Sequence, residues 1–213
     1  NNKRRLIGKY KQAGQLLDIG CASGEFLLEM KQHGWQISGM ETAPEAREIA
    51  RQQKITVFET LDELSGSFDV ITMWHVLEHV HRIADLFKNI KRLLTADGLL
   101  VFAIPNIDSR DGRYYKNHWV ALDTPRHLYH FRPQDIEHLL KNYGFELIRI
   151  SPLLYFDPWY NALLSSRLKS DYQPRSAIVN LLEAGTIGKL SFLNGLINPR
   201  RCASPVYVAR SRK

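Results

Sequence analysis

Apolar and polar positions along this chain follow two rhythms, one of strands and one of helices, in regular succession. "QLLDIG" (Gln15–Gly20) is a short apolar run closed by an aspartate and a glycine, the pattern of a buried strand. Glu25 to His33 then carries Phe26, Leu27 and Met30 on one helical face, and Gly34 stands where that helix would end. "WQISGME" predicts a second strand. Pro44 opens "PEAREIARQQ", a helix with proline in its first turn and acids near its start. "ITVFET" is a third strand, and "SFDVITMW" a fourth, apolar throughout as a strand covered on both faces should be. Ile83, Phe87, Ile90 and Leu94 make one helical stripe, after which "ADG" turns the chain into a fifth strand, "LLVFAIPN". Ile136, Leu139, Leu140 and Tyr143 predict a helix within "RPQDIEHLLKNYG". "FELIRIS" and "SPVYVARS" are the sixth and seventh strands.

Strands alternating with helices predict an α/β fold, a largely parallel sheet with helices on both faces. Ligands of such sheets lie beyond the carboxyl ends of the strands, at the switch point beside the first strand. That geometry collects Asp18–Gly24, Glu41, Thr60–Leu61 and Trp74–His79 along one edge. Two segments break the rhythm. Residues 106–132 are too long for a bare connector, and Tyr114, Tyr115, Trp119, Tyr129 and Phe131 predict order there, so they are expected to form a substrate loop. Residues 152–203 are expected to hold short helices inserted between the last two strands. They would serve as a cap or dimer contact, with an apolar surface for a greasy substrate as the alternative. The whole of 1–213 is expected to be a single domain, with residues 1–15 as a basic N-terminal segment.

Composition narrows this picture. Apolar content of 44% and charged content of 24% are those of an ordinary globular protein. No apolar run approaches the ~20 residues of a membrane span, and no signal-peptide pattern is expected. The chain opens "NNKRR" without methionine, which leads us to expect residues upstream. Two cysteines, Cys21 and Cys202, are too few for a disulfide framework and are expected to be free thiols in a reducing, cytoplasmic setting. The net charge of +7 belongs to the ends: residues 1–15 carry +5, residues 151–213 carry +6 and the middle carries −4. A nucleic-acid-binding core would itself be basic, so nucleic acid is not expected as a partner. The basic ends leave peripheral contact with anionic lipid, RNA or an acidic partner open.

The glycine loop decides between ligands. A dinucleotide fingerprint starting at Gly20 would need glycines at Ala22 and Glu25, and fails at both. A carboxylate at Glu25 would also oppose a pyrophosphate at the helix N-terminus. There is no G-K-[ST], which excludes a phosphate-cradling P-loop. What remains, Asp18-x-Gly20-x-x-x-Gly24, suits a ligand approached closely by backbone and carrying positive rather than phosphate charge. S-adenosylmethionine (SAM), with its ammonium and sulfonium groups, fits. Glu41 ends the second strand, where an acid can accept hydrogen bonds from both ribose hydroxyls.

On these residues the chain resembles the class I SAM-dependent methyltransferases. The resemblance runs from about Leu16 to Ile150, through "LLDIGCASGEFL", "GME", "SFDVITMWHVLEHV", "LLTADGLLVFAIPN" and "PRHLYHF…LLKNYGFE". The fourth-strand motif and the histidine segment are similar to the methyltransferase-23 or ubiquinone-methyltransferase-like branch. Many relatives have glycine where Ala22 stands. The resemblance implies a Rossmann-like seven-stranded sheet of order 3-2-1-4-5-7-6 with strand 7 antiparallel. It implies that Asp18, Gly20, Cys21, Ala22 and Gly24 surround the methionine part of SAM and that Glu41 holds the ribose. Thr60 and Leu61 would flank the adenine, and Met73, Trp74 and His75 would line the inner wall.

Methyl transfer is an in-line displacement at a sulfonium methyl, so an enzyme mostly supplies alignment, and an oxygen or nitrogen acceptor also needs a base. Glu78 and His79 directly follow the fourth strand, and His127 and His130 lie in the long connection. Glu78, His79 and His127 are the candidate catalytic residues, with Arg126 available for an anionic group on the substrate. His75, Glu78 and His79 also present metal-ligand types close together, and His127 could complete a set. Relatives that bind a divalent ion there carry Glu-x-x-Glu-His, whereas this chain has His75 at the first position, and no metal is expected. The expected activity is methylation of a small-molecule or lipid-linked acceptor, at oxygen, by a monomer or homodimer. RNA methylation and a non-catalytic SAM- or partner-binding module are the alternatives. The broken fingerprint argues against a nicotinamide oxidoreductase.

Overall fold

The computed structural model of the chain describes residues 2–153 and 157–212. Leu154, Tyr155 and Phe156, which the sequence reading put within the helical insertion, lie outside the described residues. Seven strands form one sheet: β1 (Gln15–Ile19), β2 (Gln36–Met40), β3 (Thr56–Phe58), β4 (Phe68–Trp74), β5 (Leu94–Ala103), β6 (Phe145–Pro152) and β7 (Pro205–Ser211). Their order is β3-β2-β1-β4-β5-β7-β6, with β7 antiparallel, as expected. The chain divides into two compact units, described in turn.

The first unit comprises Asn1–Phe102, Leu140–Arg149 and Tyr207–Lys213. β1 lies between β2 and β4 and pairs in parallel with both, and β2 pairs in parallel with β3. Leu16, Leu17, Val70 and Ile71 are fully buried, as strands covered on both faces require. The register sets Asp18 level with Gly39 on one side and Thr72 on the other. Helices α2 (Glu25–Gln32), α3 (Pro44–Gln52) and α4 (Ile83–Leu93) fall between the strands. The buried face of α4 is Leu86, Phe87, Ile90 and Leu93. Leu94, read from sequence as the last residue of that stripe, instead opens β5. Its backbone is already extended (φ −81°, ψ 140°). Its side chain folds back over Gly98, where a Cβ would meet Leu94 Cδ2 at 2.8 Å. A further helix, α1 (Asn2–Ile7), was not expected within the basic N-terminal segment; Ile7, fully buried, anchors it.

The second unit comprises Ala103–Leu139 and Ile150–Val206. Residues 106–132 contain the short helix α5 (Arg110–Tyr115) and two 3₁₀ turns, so the long connection is ordered, as its aromatic content predicted. Helix α6 (Pro133–Asn142) follows, and the insertion holds α7 (Asp157–Tyr172) and α8 (Ala177–Ile197). At 16 and 21 residues these are longer than the short helices expected. At Gly188 the missing side chain is what lets Trp159 pack close: a Cβ there would meet Trp159 Cδ1 at 2.8 Å. Tyr115, Trp119, Ala162, Ala184 and Ile187 form this unit's core. At its centre Asp111, fully buried, accepts hydrogen bonds from Trp119 Nε1 and Ser191 Oγ, each at 3.0 Å.

In the first unit Phe87 is 1% exposed, stacked on Tyr143 at 4.8 Å and edge-on to Phe145 at 5.9 Å. Phe87→Ala should therefore lower unfolding free energy by about 3–5 kcal/mol, read as a shift in the urea midpoint without a change in slope.

Candidate SAM site and its acceptor side

Each of the four parallel strands β1 to β4 ends at the same edge of the sheet, and the residues that follow them make the site. After β1 the chain makes a tight loop. Gly20 N and Cys21 N both donate to Met40 O, at 2.7 and 3.1 Å, and Gly24 N donates to Cys21 O at 2.9 Å. Gly20 (φ 72°) and Gly24 (φ 88°) are left-handed, and a Cβ at Gly20 would come within 2.5 Å of Val76 Cγ2. Ala22 is also left-handed, at φ 47°. This conformation costs a residue with a Cβ about 1–2 kcal/mol.

Glu41 holds the loop to β2. Its Oε2 accepts from Ala22 N and its Oε1 from Ala43 N, both at 2.9 Å. Each oxygen keeps a lone pair for a further donor. Arg47, 8% exposed, donates to the carbonyls of Glu41 and Thr42 at 2.8 and 3.0 Å and pairs with Glu59 at 2.9 Å. It fixes the backbone that carries Glu41, and the sequence reading missed it. An arginine one turn into a helix that follows a strand-end acid was the available signal. Next, Thr60 and Glu63 cap a 3₁₀ turn that buries Leu61. Arg92 pins this turn by donating to the carbonyls of Leu61 and Leu64 at 2.9 and 3.0 Å.

Asp18 is 2% exposed and accepts a 2.5 Å hydrogen bond from Thr72 Oγ1. Burial pushes its carboxyl up to about 7, against the Thr72 bond and the nearby Lys3 cation, which pull it down. Lys3, on α1, is the second residue the sequence reading missed. Its ammonium lies 4.3 Å from the Trp74 ring centroid and 5.7 Å from that of Phe26, and burial lowers its pKa. The signal was its spacing: Lys3 and the buried Ile7 are one turn apart on the same helix. Cys21 is buried, with its Sγ 2.5 Å from where a Cβ would stand on Gly39. Burial pushes its thiol up to about 12, with the charges of Asp18 and Glu41 adding to this, so it is no nucleophile near neutral pH.

Beyond β4 the backbone turns sharply at His75 (φ 57°) into a 3₁₀ turn of Leu77–His79. Met73 is fully buried in the sheet. Trp74 is half-buried, edge-on to Phe26 at 5.5 Å, and its Nε1 is buried with no acceptor. The Glu78 carboxylate is 1% exposed, and neither oxygen accepts a hydrogen bond. Its ion-pair contact is His75 Nδ1 at 3.3 Å. Buried polar atoms are almost always satisfied, so an indole donor without an acceptor and a carboxylate without a hydrogen bond, four residues apart, leave polar capacity on this side of the site. His79 is half-buried beside them in the chain.

His127 belongs to the second unit. Its Nδ1 lies 2.9 Å from Ala121 O, which assigns a proton to Nδ1, and its Nε2 lies 3.9 Å from Asp123 Oδ2. His130 Nε2 lies 2.9 Å from Leu122 O. Arg126 pairs with Asp123 at 3.2 Å.

The doubly wound sheet, the tight left-handed loop and the strand-end carboxylates define a SAM-dependent methyltransferase, whose co-substrate is SAM. A family profile described as a methyltransferase domain matches residues 1–150, and the chain belongs to that family. It is 27% identical over 184 residues to a ubiquinone biosynthesis O-methyltransferase of Xanthomonas axonopodis pv. citri, an alignment covering 74% of this chain and 73% of that one. A protein of the same name from Idiomarina loihiensis is 26% identical, with 78% and 73% covered. Among solved structures, a SAM-dependent methyltransferase from Archaeoglobus fulgidus superposes with a TM-score of 0.64 at 21% identity, covering 99% of this chain and 91% of that one. A cyclopropane synthase from Mycobacterium tuberculosis gives 0.63 at 19% identity, with 100% and 83% covered. At these identities the structures speak for the fold. No helix among the described residues is long and apolar enough to cross a membrane.

Because the folded value of Asp18 is raised, its protonated form favours the ligand-free fold. That contribution is full below about pH 4 and is lost as pH rises to about 7. Asp18→Asn should flatten the melting temperature across this window and be more stable than the parent protein at alkaline pH, as thermal scans over pH would measure.

Proposed function

We propose that the chain methylates an oxygen of a small-molecule or lipid-linked acceptor, with the buried Glu78 carboxylate, which accepts no hydrogen bond and meets His75 Nδ1 at 3.3 Å, as the observation that carries the reading. Glu41 accepts the ribose hydroxyls with the lone pairs that Ala22 N and Ala43 N leave free. Thr60 and Leu61 flank the adenine. Gly20, Cys21, Ala22 and Gly24 form the backbone cradle of the methionine part. Asp18 answers its positive charge, and Lys3 answers its carboxylate. Met73, Trp74 and His75 back this pocket, with Met73 as buried support behind the Trp74 ring.

The acceptor hydroxyl lies toward Glu78 and His79. As its oxygen forms a bond to the methyl carbon, the carbon–sulfur bond breaks and its electron pair stays on sulfur, leaving neutral S-adenosylhomocysteine. The hydroxyl proton passes to His79, while Glu78 holds the acceptor or stabilises the imidazolium. His127, whose Nδ1 lies 2.9 Å from Ala121 O, is the second candidate base, and residues 106–132 are the substrate loop of this reading. The O-methyltransferase name of the 26–27% identical relatives supports oxygen as the acceptor atom. We read 1–213 as a single working enzyme domain.

Two measurements test this. Glu41→Ala should weaken S-adenosylhomocysteine binding about ten- to a hundred-fold, yet leave unchanged the affinity for an analogue lacking both ribose hydroxyls. Equal losses for both ligands would assign Glu41 to loop support alone. In a screen of phenolic, quinone-precursor and RNA acceptors with methyl-labelled SAM, His79→Ala should cut kcat by about 10²–10⁴ while SAM affinity holds. An unaltered kcat would remove His79 from the chemistry.

A further inference from the structure

Helix α8 is amphipathic in the wrong sense for a helix that only packs against its own chain. Its buried residues are small: Ala184, Gly188, Ser191 and Gly195 all face inward, with Ile187 the one large exception. Its large aliphatic residues face out. Ile178, Leu181, Leu182, Leu193, Leu196 and Ile197 are 43% to 85% exposed. At helical spacing they form a stripe along a helix about 30 Å long. Gly185 falls on the same stripe and meets nothing within 4 Å. A contiguous apolar face of this size is rare on a free surface.

Charge says what covers it. Immediately after Ile197 the chain turns through Pro199–Arg201. There Arg113, Arg200 and Arg201 line a cavity of about 230 Å³, with Asp108, Gln134 and Asn198. Arg113 pairs with Asp108 and Arg200 with Glu137, whereas Arg201 has no carboxylate partner among the described residues. Lys189 interrupts the apolar stripe near its middle. In a two-fold antiparallel pairing of α8 with its copy, the middle of the helix meets itself and the two lysines come together. The same lysine suits an anionic surface, since its stem lies along apolar neighbours while its ammonium reaches headgroups.

We propose that the outer face of α8 and the arginine-lined cavity at its carboxyl end are a docking surface for an anionic phospholipid membrane. The aliphatic stripe lies in the plane of the interface, as an amphipathic helix does, and does not span it. Arg201 and its neighbours take a headgroup phosphate through charge-assisted hydrogen bonds. The inference deepens the lipid-linked reading above and rests on it only for the purpose of docking.

The test is co-sedimentation of the full chain with vesicles of equimolar phosphatidylcholine and phosphatidylglycerol, and with phosphatidylcholine alone. Light scattering and S-adenosylhomocysteine affinity are measured alongside. The chain should bind the anionic vesicles and release from them as salt rises. The double variant Leu182→Glu, Ile197→Glu should bind at least about ten-fold more weakly, and Arg201→Glu should also bind more weakly. Both should keep the parent melting temperature and ligand affinity, since the altered side chains are exposed. The proposal is overturned if the parent chain ignores anionic vesicles, or if the double variant binds them as the parent does. It is equally overturned if the parent is a dimer that the double variant dissociates, because the face then belongs to a second copy. Vesicle binding without methylation of any lipid-linked acceptor would keep the surface and overturn only the acceptor reading.

Discussion

A single hydrogen bond between neighbouring parallel strands, from the Thr72 hydroxyl to the Asp18 carboxyl, fixes the geometry on which the site depends. It forms because the register of β1 and β4 sets these two residues level. The same register sets Gly39 level with Asp18 on the other side, and Gly39 is where the Cys21 side chain lies. Slipping β4 by one residue would take Thr72 away from Asp18, and slipping β2 would set a residue with a side chain in place of Gly39. The cost is a carboxyl held away from water, which is why its pKa rises. A cation arriving beside it recovers that cost, so the fold without ligand is strained in the direction that ligand binding relieves.

Glu41 plays the complementary part. It is partly exposed, and both its oxygens are engaged by backbone donors of two different turns, at Ala22 and Ala43. The loop after β1 and the start of α3 are therefore tied to one carboxylate, which Arg47 holds from behind through main-chain carbonyls. Binding of two hydroxyls would add to an arrangement already made rather than create one, so little ordering is left for the moment of binding. On the acceptor side the opposite holds. Trp74 Nε1 is buried without an acceptor, and the buried Glu78 carboxylate accepts no hydrogen bond and meets His75 Nδ1 at 3.3 Å, so polar capacity there is left unused.

The sheet was legible in the sequence because each strand is an apolar run with a clear stop, and because strand-end acids and glycines follow a pattern with a chemical reason. Asp18, Glu41 and the glycine loop were readable on those grounds. Lys3 was not. Its role comes from a six-residue helix whose only buried side chain is Ile7, too short for periodicity to declare. Arg47 was hidden because a buried arginine on a polar helix looks like any solvated one until its carbonyl partners are known. The Leu94 boundary was misread because Leu94 is buried in either assignment, at the end of a helix or the start of a strand. The 152–203 segment was read as short helices for the reason that makes α8 unusual. Ala184, Gly188, Ser191 and Gly195 face inward and its leucines outward, so the usual link between apolar residues and burial is reversed.

That reversal gives the charge distribution a meaning it lacked in the sequence. The excess positive charge sits at the two ends of the chain, and the two ends use it differently. In the N-terminal segment a lysine is drawn in among aromatic rings beside a buried acid, which holds its charge against the loop after β1. In the C-terminal part the arginines gather where an exposed aliphatic helix stops. Apolar surface next to positive charge is well matched to the boundary of an anionic bilayer, where both terms become favourable together. An enzyme whose acceptor is anchored in lipid gains most from this arrangement, since confinement to the surface raises the local concentration of acceptor without any new contact at the reacting atom.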